Sequence, residues 1–191
     1  MILYTEPWAT ANAVPADTIA WGTTWGGAWI DKGYTRDGLR FRMNVPRTNI
    51  QVDQVLDPVL RIPTSRELNM ETNLAQVNAT NLQEASGQPT TQVSTTAAAS
   101  GTRGHTDLAI LGTITDNFLT AGFDIQNPGD LEAVRLIGWK GIVLSEVQLN
   151  FQVTDAAQIA FNIGLVPDSG TAGSINPARI ATFRDVLAAL P

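Results

Sequence analysis

Strict alternation of apolar and polar residues along residues 39–45 restricts this segment to one kind of local structure. The residues between the apolar positions are polar throughout. A period of two places one set of side chains on each face of a pleated strand. The segment is therefore predicted to form a strand with one buried face and one face in water. Its apolar set is Leu39, Phe41, Met43 and Val45.

More extended runs and a short helix follow. Residues 50–62 and 67–74 have strand-like spacing, and Leu68, Met70 and Leu74 form the apolar set of the second run. Residues 78–87 change to helical spacing, with Asn78 as the expected N-cap and Gly87 as the terminator. Later strands are predicted at 107–114, 118–125, 132–144, 147–153 and 159–165, and a C-terminal helix at 176–190.

These elements predict a mainly β protein with some helix, in the α+β class. An antiparallel β-barrel or sandwich with a flanking helix fits the order of strands. Prolines and a glycine cluster interrupt residues 1–28, which are predicted to be an N-terminal arm ahead of a single domain over residues 29–191. Residues 86–105 are low in complexity and are predicted to be a flexible loop.

The composition restricts the class of function. Charged residues make up 16% of the chain, against ~25% in typical soluble domains, which favours a surface hidden against copies of itself. The net charge of −6 argues against tight binding of nucleic acid, because that affinity depends on neutralised phosphates. Because no secretory signal or membrane-spanning apolar run is recognisable, we expect synthesis in the cytoplasm without membrane anchoring.

The chain offers few residues for catalysis or for cofactors. Cysteine is absent and His105 is the single histidine, so nucleophilic triads and transition-metal sites lack their usual groups. Glu67 and Glu71 lie on one strand face, whereas paired acid catalysis needs two carboxyl groups across a substrate. We therefore expect a protein that is not an enzyme and that has no metal or cofactor.

Three stretches resemble the major tail tube proteins of long-tailed, siphovirus-like bacteriophages. They are Trp29–Gly38, Asn49–Gln54 with the strand that follows, and Val147–Thr154 with the return through Ile159–Leu165 to Asp168. The resemblance rests on their order and spacing and spans most of the chain from Trp29 to Asp168.

This resemblance implies a structural virion protein. Its copies would form stacked rings of six, and these rings would make a hollow conduit through which DNA passes without specific binding. Partners would be other copies of the chain and further tail proteins, namely the tape measure, tail terminator and distal tail proteins. Assembly would take place in the host cytoplasm, with residues 86–105 bridging neighbouring subunits.

Polar strand faces are the candidates for the lumen of such a tube, and the choice of face comes from the resemblance. The lumen candidates are Gln51, Asp53, Glu67, Asn69, Glu71, Gln148, Asn150 and Gln152. The candidates for subunit contacts are Trp21, Trp25, Trp29, Arg40, Arg42, Gln92, Thr95 and Arg103. For the tryptophans, closure over the domain's own core is the alternative.

Two other functions stay open from the sequence. A β-sandwich module that binds carbohydrate or a receptor would also lack catalytic residues, and the tryptophan cluster would then be its ligand platform. A tail terminator or head–tail joining protein would share the tail tube fold and form single rings. The sequence does not decide among these alternatives.

Overall fold

The computed structural model describes residues 1–8, 14–51, 57, 60–88, 90–110, 117–126, 133–144, 147, 157–167 and 180–186. The strands in this part of the chain are β1 (Ile2–Pro7), β2 (Ile30–Asn44), β3 (Arg47–Ile50), β4 (Leu60–Pro63), β5 (Glu67–Leu74), β6 (Val93–Thr96), β7 (His105–Leu108), β8 (Leu119–Gln126), β9 (Ala133–Val143), β10 (Ile159–Leu165) and β11 (Ala181–Val186). The helices are α1 (Ala79–Ala85) and a 3₁₀ turn at Thr90–Gln92.

Seven strands form one antiparallel sheet in the order β10-β5-β2-β1-β8-β9-β11. The sheet closes on itself because β10 also pairs with β9, from Ile163 opposite Val143 to Leu165 opposite Gly141. Strand β11 pairs with the earlier part of the same edge of β9, between Ala133 and Gly138. The expectation of a β-rich, antiparallel α+β fold is confirmed.

The interior of this closed sheet holds the larger hydrophobic core. Strand β5 shows the predicted alternation, with Leu68, Met70 and Leu74 buried and Asn69 and Glu71 half-exposed. Burial of each such aliphatic side chain contributes roughly 1.5–3 kcal/mol to folding. The same core cluster also contains Leu3, Phe123, Ile159, Phe161 and Ile163.

A second core cluster lies on the outer side of the sheet, where residues 14–29 cover β1, β8 and β9. The Tyr4 ring stacks on Trp25 with centroids 4.4 Å apart, and Trp25 meets Trp29 edge to face at 5.0 Å. Gly122 leaves room for these rings, since a Cβ there would lie 2.3 Å from the Cζ3 atom of Trp25. The tryptophans therefore stabilise their own chain.

The predicted helix at residues 78–87 is confirmed as α1. The backbone N–H of Asn81 donates to the Asn78 side chain at 2.7 Å, which satisfies one of the free donors of the first turn. Gly87 follows the helix with a φ of 66°, a conformation that glycine adopts readily. Strand β5 runs for eight residues between the β3–β4 hairpin and α1. The hairpin and the helix therefore lie at opposite ends of this strand, roughly 25 Å apart.

The structure contradicts the predicted N-terminal arm and the predicted flexible loop. Residues 2–7 are not part of a loose arm but form β1, a central strand paired with β2 and β8. Ile2, Leu3 and Tyr4 are all buried because both faces of β1 are covered, so the strand has no polar alternation to reveal it. Residues 86–105 are not an unstructured loop, since β6 and β7 pair between Val93 and Leu108.

The predicted C-terminal helix is also wrong where the structure describes it. Ile180, Phe183 and Val186 have helical spacing, yet residues 181–186 form β11 on the edge of β9. Pairing there covers backbone groups that an open strand edge would expose, which outweighs local helix propensity. The strand predicted at 147–153 lies outside the described residues, apart from Val147.

Candidate assembly surface

The β3–β4 pair forms a two-stranded ribbon, which we define as Arg47–Ile50 and Leu60–Pro63. Every residue in it is exposed. Thr48 lies opposite Ile62 and Ile50 lies opposite Leu60, so these four side chains share one face of the ribbon. Ile50, Leu60 and Ile62 are 42%, 54% and 43% exposed. The ribbon therefore presents a solvent-exposed apolar face.

The other face of the ribbon is polar. Arg47 and Asn49 point to it from β3, and Arg61 and Pro63 point to it from β4, because residues paired across an antiparallel ladder lie on the same face. The ribbon thus has one aliphatic face and one face with two arginines. Such an arrangement is suited to covering an apolar surface with one side while keeping the guanidinium groups in water.

An apolar groove opens at the same end of the closed sheet as the ribbon. Its volume is about 660 Å³. Phe41 and Met43 were predicted to be buried on the inner face of β2, but they are exposed, Met43 to 63%. Phe183 of β11 is 69% exposed. The groove is lined by apolar side chains together with one arginine, including Leu39, Phe41, Met43, Ile180, Phe183 and Arg66.

The outer face of β2 and β5 carries a small charged cluster. Arg40 lies opposite Glu71 in the ladder, and its Nη1 atom is 3.7 Å from the carboxylate. The Nε atom of Arg42 is 3.9 Å from the same carboxylate. The two arginines, predicted as contacts to another subunit, therefore have an acidic partner within their own chain. Their side chains remain more than half exposed, so an additional contact is sterically open.

The structure places the remaining sequence-predicted residues at separate positions. Trp25 and Trp29 are 2% and 8% exposed, so they are core residues and not exposed anchors for another copy, and Trp21 is half-buried. Gln51 and Glu67 are exposed near the ribbon. Gln92 is half-buried, whereas Thr95 and Arg103 are exposed on the β6–β7 hairpin. The predicted lumen residues that lie outside the described residues are Asp53, Gln148, Asn150 and Gln152.

A buried ion pair that the sequence did not predict joins residues 14–29 to the sheet. Nε of Arg135 donates to Oδ1 of Asp124 at 3.3 Å, and its Nη1 and Nη2 atoms donate to the carbonyl groups of Ala16 and Ile19. The guanidinium also lies over the Trp25 ring, 5.6 Å from its centroid. Burial raises the pKa of Asp124, although the Arg135 charge lowers it. Arg135 therefore links residues 14–29 to β8 and β9.

A second cavity, of about 420 Å³, lies beside α1. On one side Lys32 forms an ion pair with Glu84, and the Thr5 hydroxyl donates to the same carboxylate at 3.1 Å. Glu6 also lines the cavity, is only 5% exposed, and has one carboxyl oxygen without a hydrogen-bond partner among the described residues. Burial raises the pKa of Glu6 to about 7. Sequence inspection missed Glu6, because a single acidic residue in a run of mixed residues carries no pattern.

The described residues contain no group of three or more acidic or histidine side chains arranged to hold a metal ion. None of the helices in this part of the chain has the length and apolar character to span a bilayer. No protein-family model and no curated protein matches the sequence. Among the described residues, the ribbon and the groove are exposed apolar surfaces, and a proposed function has to account for their exposure.

Proposed function

We propose that this chain is the tail tube subunit of a long-tailed bacteriophage, a structural protein of the virion. Its copies assemble into stacked rings of six around a hollow lumen, through which DNA is delivered to the host. The observation that carries the proposal is the ribbon, whose apolar face has no cover within the described chain. The proposed type of assembly, stacked rings, comes from the resemblance of residues 29–168 to tail tube proteins.

The physical case for assembly rests on the stability of the ribbon. A two-stranded ribbon without a covered face is marginally stable in water. Here all eight of its residues are exposed, and three of them are large and aliphatic. Contact with a second protein surface would remove these side chains from water and order the ribbon. A monomer would retain both the exposed apolar area and the weak hairpin.

The charge of the chain is compatible with a conduit. The net charge of −6 makes the surface as a whole repel phosphate groups, which disfavours adhesion of DNA. In this proposal the half-exposed residues of β5, Asn69 and Glu71, belong to the polar wall, together with Arg40 and Arg42 beside Glu71. Contacts with the tape measure, tail terminator and distal tail proteins are part of the same proposal.

Purified protein tests this function directly. Sedimentation velocity over a range of protein concentrations, followed by negative-stain electron microscopy, should show rings and then hollow tubes. Rings that never stack would favour the tail terminator or joining-ring alternative. A protein that stays monomeric at every concentration would contradict the proposal.

The binding-module alternative is weakened by one structural observation. Its proposed ligand platform included Trp25 and Trp29, which are buried against Tyr4 and Ile137 in the outer core cluster. These two rings are not available to stack on a sugar. Isothermal titration with glycans, which we expect to show no heat of binding, separates this alternative from the tube.

A further inference from the structure

The ribbon and the groove are two uncovered apolar surfaces at the same end of one molecule. Met43, which lines the groove, precedes β3 by four residues, and Arg66, which also lines it, follows β4 by three residues. Both surfaces are therefore near the β5 residue Glu67, at the end of the sheet remote from α1. The ribbon does not fold back over the groove, because residues of both remain exposed.

The two surfaces are complementary in chemistry. The ribbon offers the aliphatic face formed by Ile50, Leu60 and Ile62, and the exposed carboxyl group of Asp57 lies in the connection at its tip. The groove offers apolar walls and the side chain of Arg66. A carboxylate at the tip of one surface and a guanidinium beside the other provide opposite charges for the same contact.

We propose that the ribbon of one copy covers the groove of the next copy, with Asp57 of the first copy facing Arg66 of the second. This proposal rests on the proposed function and names the surfaces through which its copies meet. The aliphatic face lies in the groove, and the opposite face, with Arg47 and Arg61, stays in water. The contact explains why Phe41 and Met43 continue the apolar pattern of β2 beyond the buried core.

The two surfaces allow each copy to meet two neighbours. In the proposed ring each copy inserts its ribbon into one neighbour and accepts the ribbon of the other neighbour, which is a heterologous contact. A heterologous contact of this kind closes into a ring when the rotation between copies permits it. Stacking of rings then uses other surfaces.

A complementation experiment with two variants tests this contact. Leu60→Asp places a charge on the ribbon face and leaves the groove intact, whereas Met43→Asp places a charge in the groove and leaves the ribbon face intact. Both positions are more than half exposed, so the fold should be retained, which thermal unfolding can verify. Each variant alone should remain monomeric at concentrations at which the wild-type protein forms rings.

An equimolar mixture of the two variants should form dimers and nothing larger. The intact ribbon of the Met43→Asp copy can enter the intact groove of the Leu60→Asp copy. The pair then has only a charged ribbon and a charged groove left, so it cannot bind a third copy. Sedimentation velocity distinguishes monomer, dimer and ring. Asn49→Asp, on the opposite face of the ribbon, is the matched control and should form rings like the wild-type protein.

A charge exchange tests the proposed pair independently. Asp57→Arg or Arg66→Asp alone should weaken ring formation about tenfold or more, since like charges would face each other across the contact. The double variant, with the charges exchanged, should recover most of the loss. No recovery would contradict the pairing of these two residues.

The outcomes separate this inference from the proposed function. If the wild-type protein forms rings and the Leu60→Asp or Met43→Asp variant does so too, the inference is wrong and the function stands. If both variants are monomeric and their mixture also stays monomeric, the ribbon and the groove do not bind each other, and each contacts a different surface of a neighbouring copy. If the wild-type protein never associates, both proposals fail.

Discussion

Replacement of Glu6 by glutamine should remove most of the pH dependence that this carboxyl group gives to folding stability. Glu6 is 5% exposed, and one of its carboxyl oxygens has no partner among the described residues. Burial raises its pKa from 4.5 to about 7. Each unit of difference corresponds to ~1.4 kcal/mol, so ionisation of Glu6 costs the folded protein up to about 3 kcal/mol.

The direction of the effect follows from proton binding. The folded protein holds the Glu6 proton more tightly than the unfolded chain, so this contribution to stability is complete below the unfolded pKa of 4.5. It declines as the pH rises from there and is lost once the pH passes about 7. The wild-type protein should therefore lose up to about 3 kcal/mol through this group between about pH 4.5 and about pH 8.

Urea denaturation monitored by tryptophan fluorescence at several pH values measures this effect. The Glu6→Gln variant should be more stable than the wild-type protein at high pH and should show a flatter dependence of the free energy of unfolding on pH. Glu67→Gln, which removes an exposed carboxyl group, is the control and should leave the slope unchanged. The reasoning is refuted if Glu6→Gln and the wild-type protein lose stability equally as the pH rises.

Three further substitutions test the packing described above, each measured by urea denaturation. Arg135→Met should cost about 3–5 kcal/mol, because it leaves the Asp124 carboxylate buried and unpaired; adding Asp124→Leu should recover part of the loss, and a further loss would contradict this. Gly122→Ala should cost roughly 1–3 kcal/mol, since its Cβ would overlap a tryptophan ring, whereas Gly26→Ala has open space and should cost less. Asn78→Ala should cost about 0.5–2 kcal/mol through loss of the helix cap, and an unchanged midpoint would argue against the cap.

Strands with one wet face were predictable from the sequence. In β5 the alternation of Leu68, Met70 and Leu74 with polar residues corresponds to one buried and one half-exposed face. The helix α1 was predictable as well, because Asn78 and Gly87 are local signals for its two ends. In both cases the information lies within a few consecutive residues.

Elements that depend on distant partners were not predictable. Strand β1 is buried on both faces, which removes alternation, and β11 forms because the edge of β9 is available to residues 181–186. The polar, threonine-rich residues of β6 suggested a loop, whereas residues 107–114 were predicted to be a strand, and the pairing of β6 with β7 was not visible in the sequence. The Asp124–Arg135 pair depends on the register of β8 and β9, in which these residues are direct neighbours.

The candidate surface was only partly visible from the sequence. Alternation predicted that Phe41 and Met43 would be covered, and the single chain leaves them exposed. The apolar pattern therefore indicates a strand face that becomes covered, but it does not indicate whether this chain or another molecule covers it. The exposed ribbon could not be anticipated, because residues 50–62 were assigned to one extended run, whereas β3 and β4 form a hairpin.

Hydrogen–deuterium exchange at the ribbon amides, in dilute and in concentrated protein, tests the central claim most directly. If the ribbon is covered by another copy, amides of β3 and β4 should exchange rapidly in the monomer and become protected as the protein assembles. Core amides of β8 should exchange slowly in both samples. Ribbon amides that exchange equally fast in assembled and monomeric protein would contradict the claim that this ribbon joins one copy to the next.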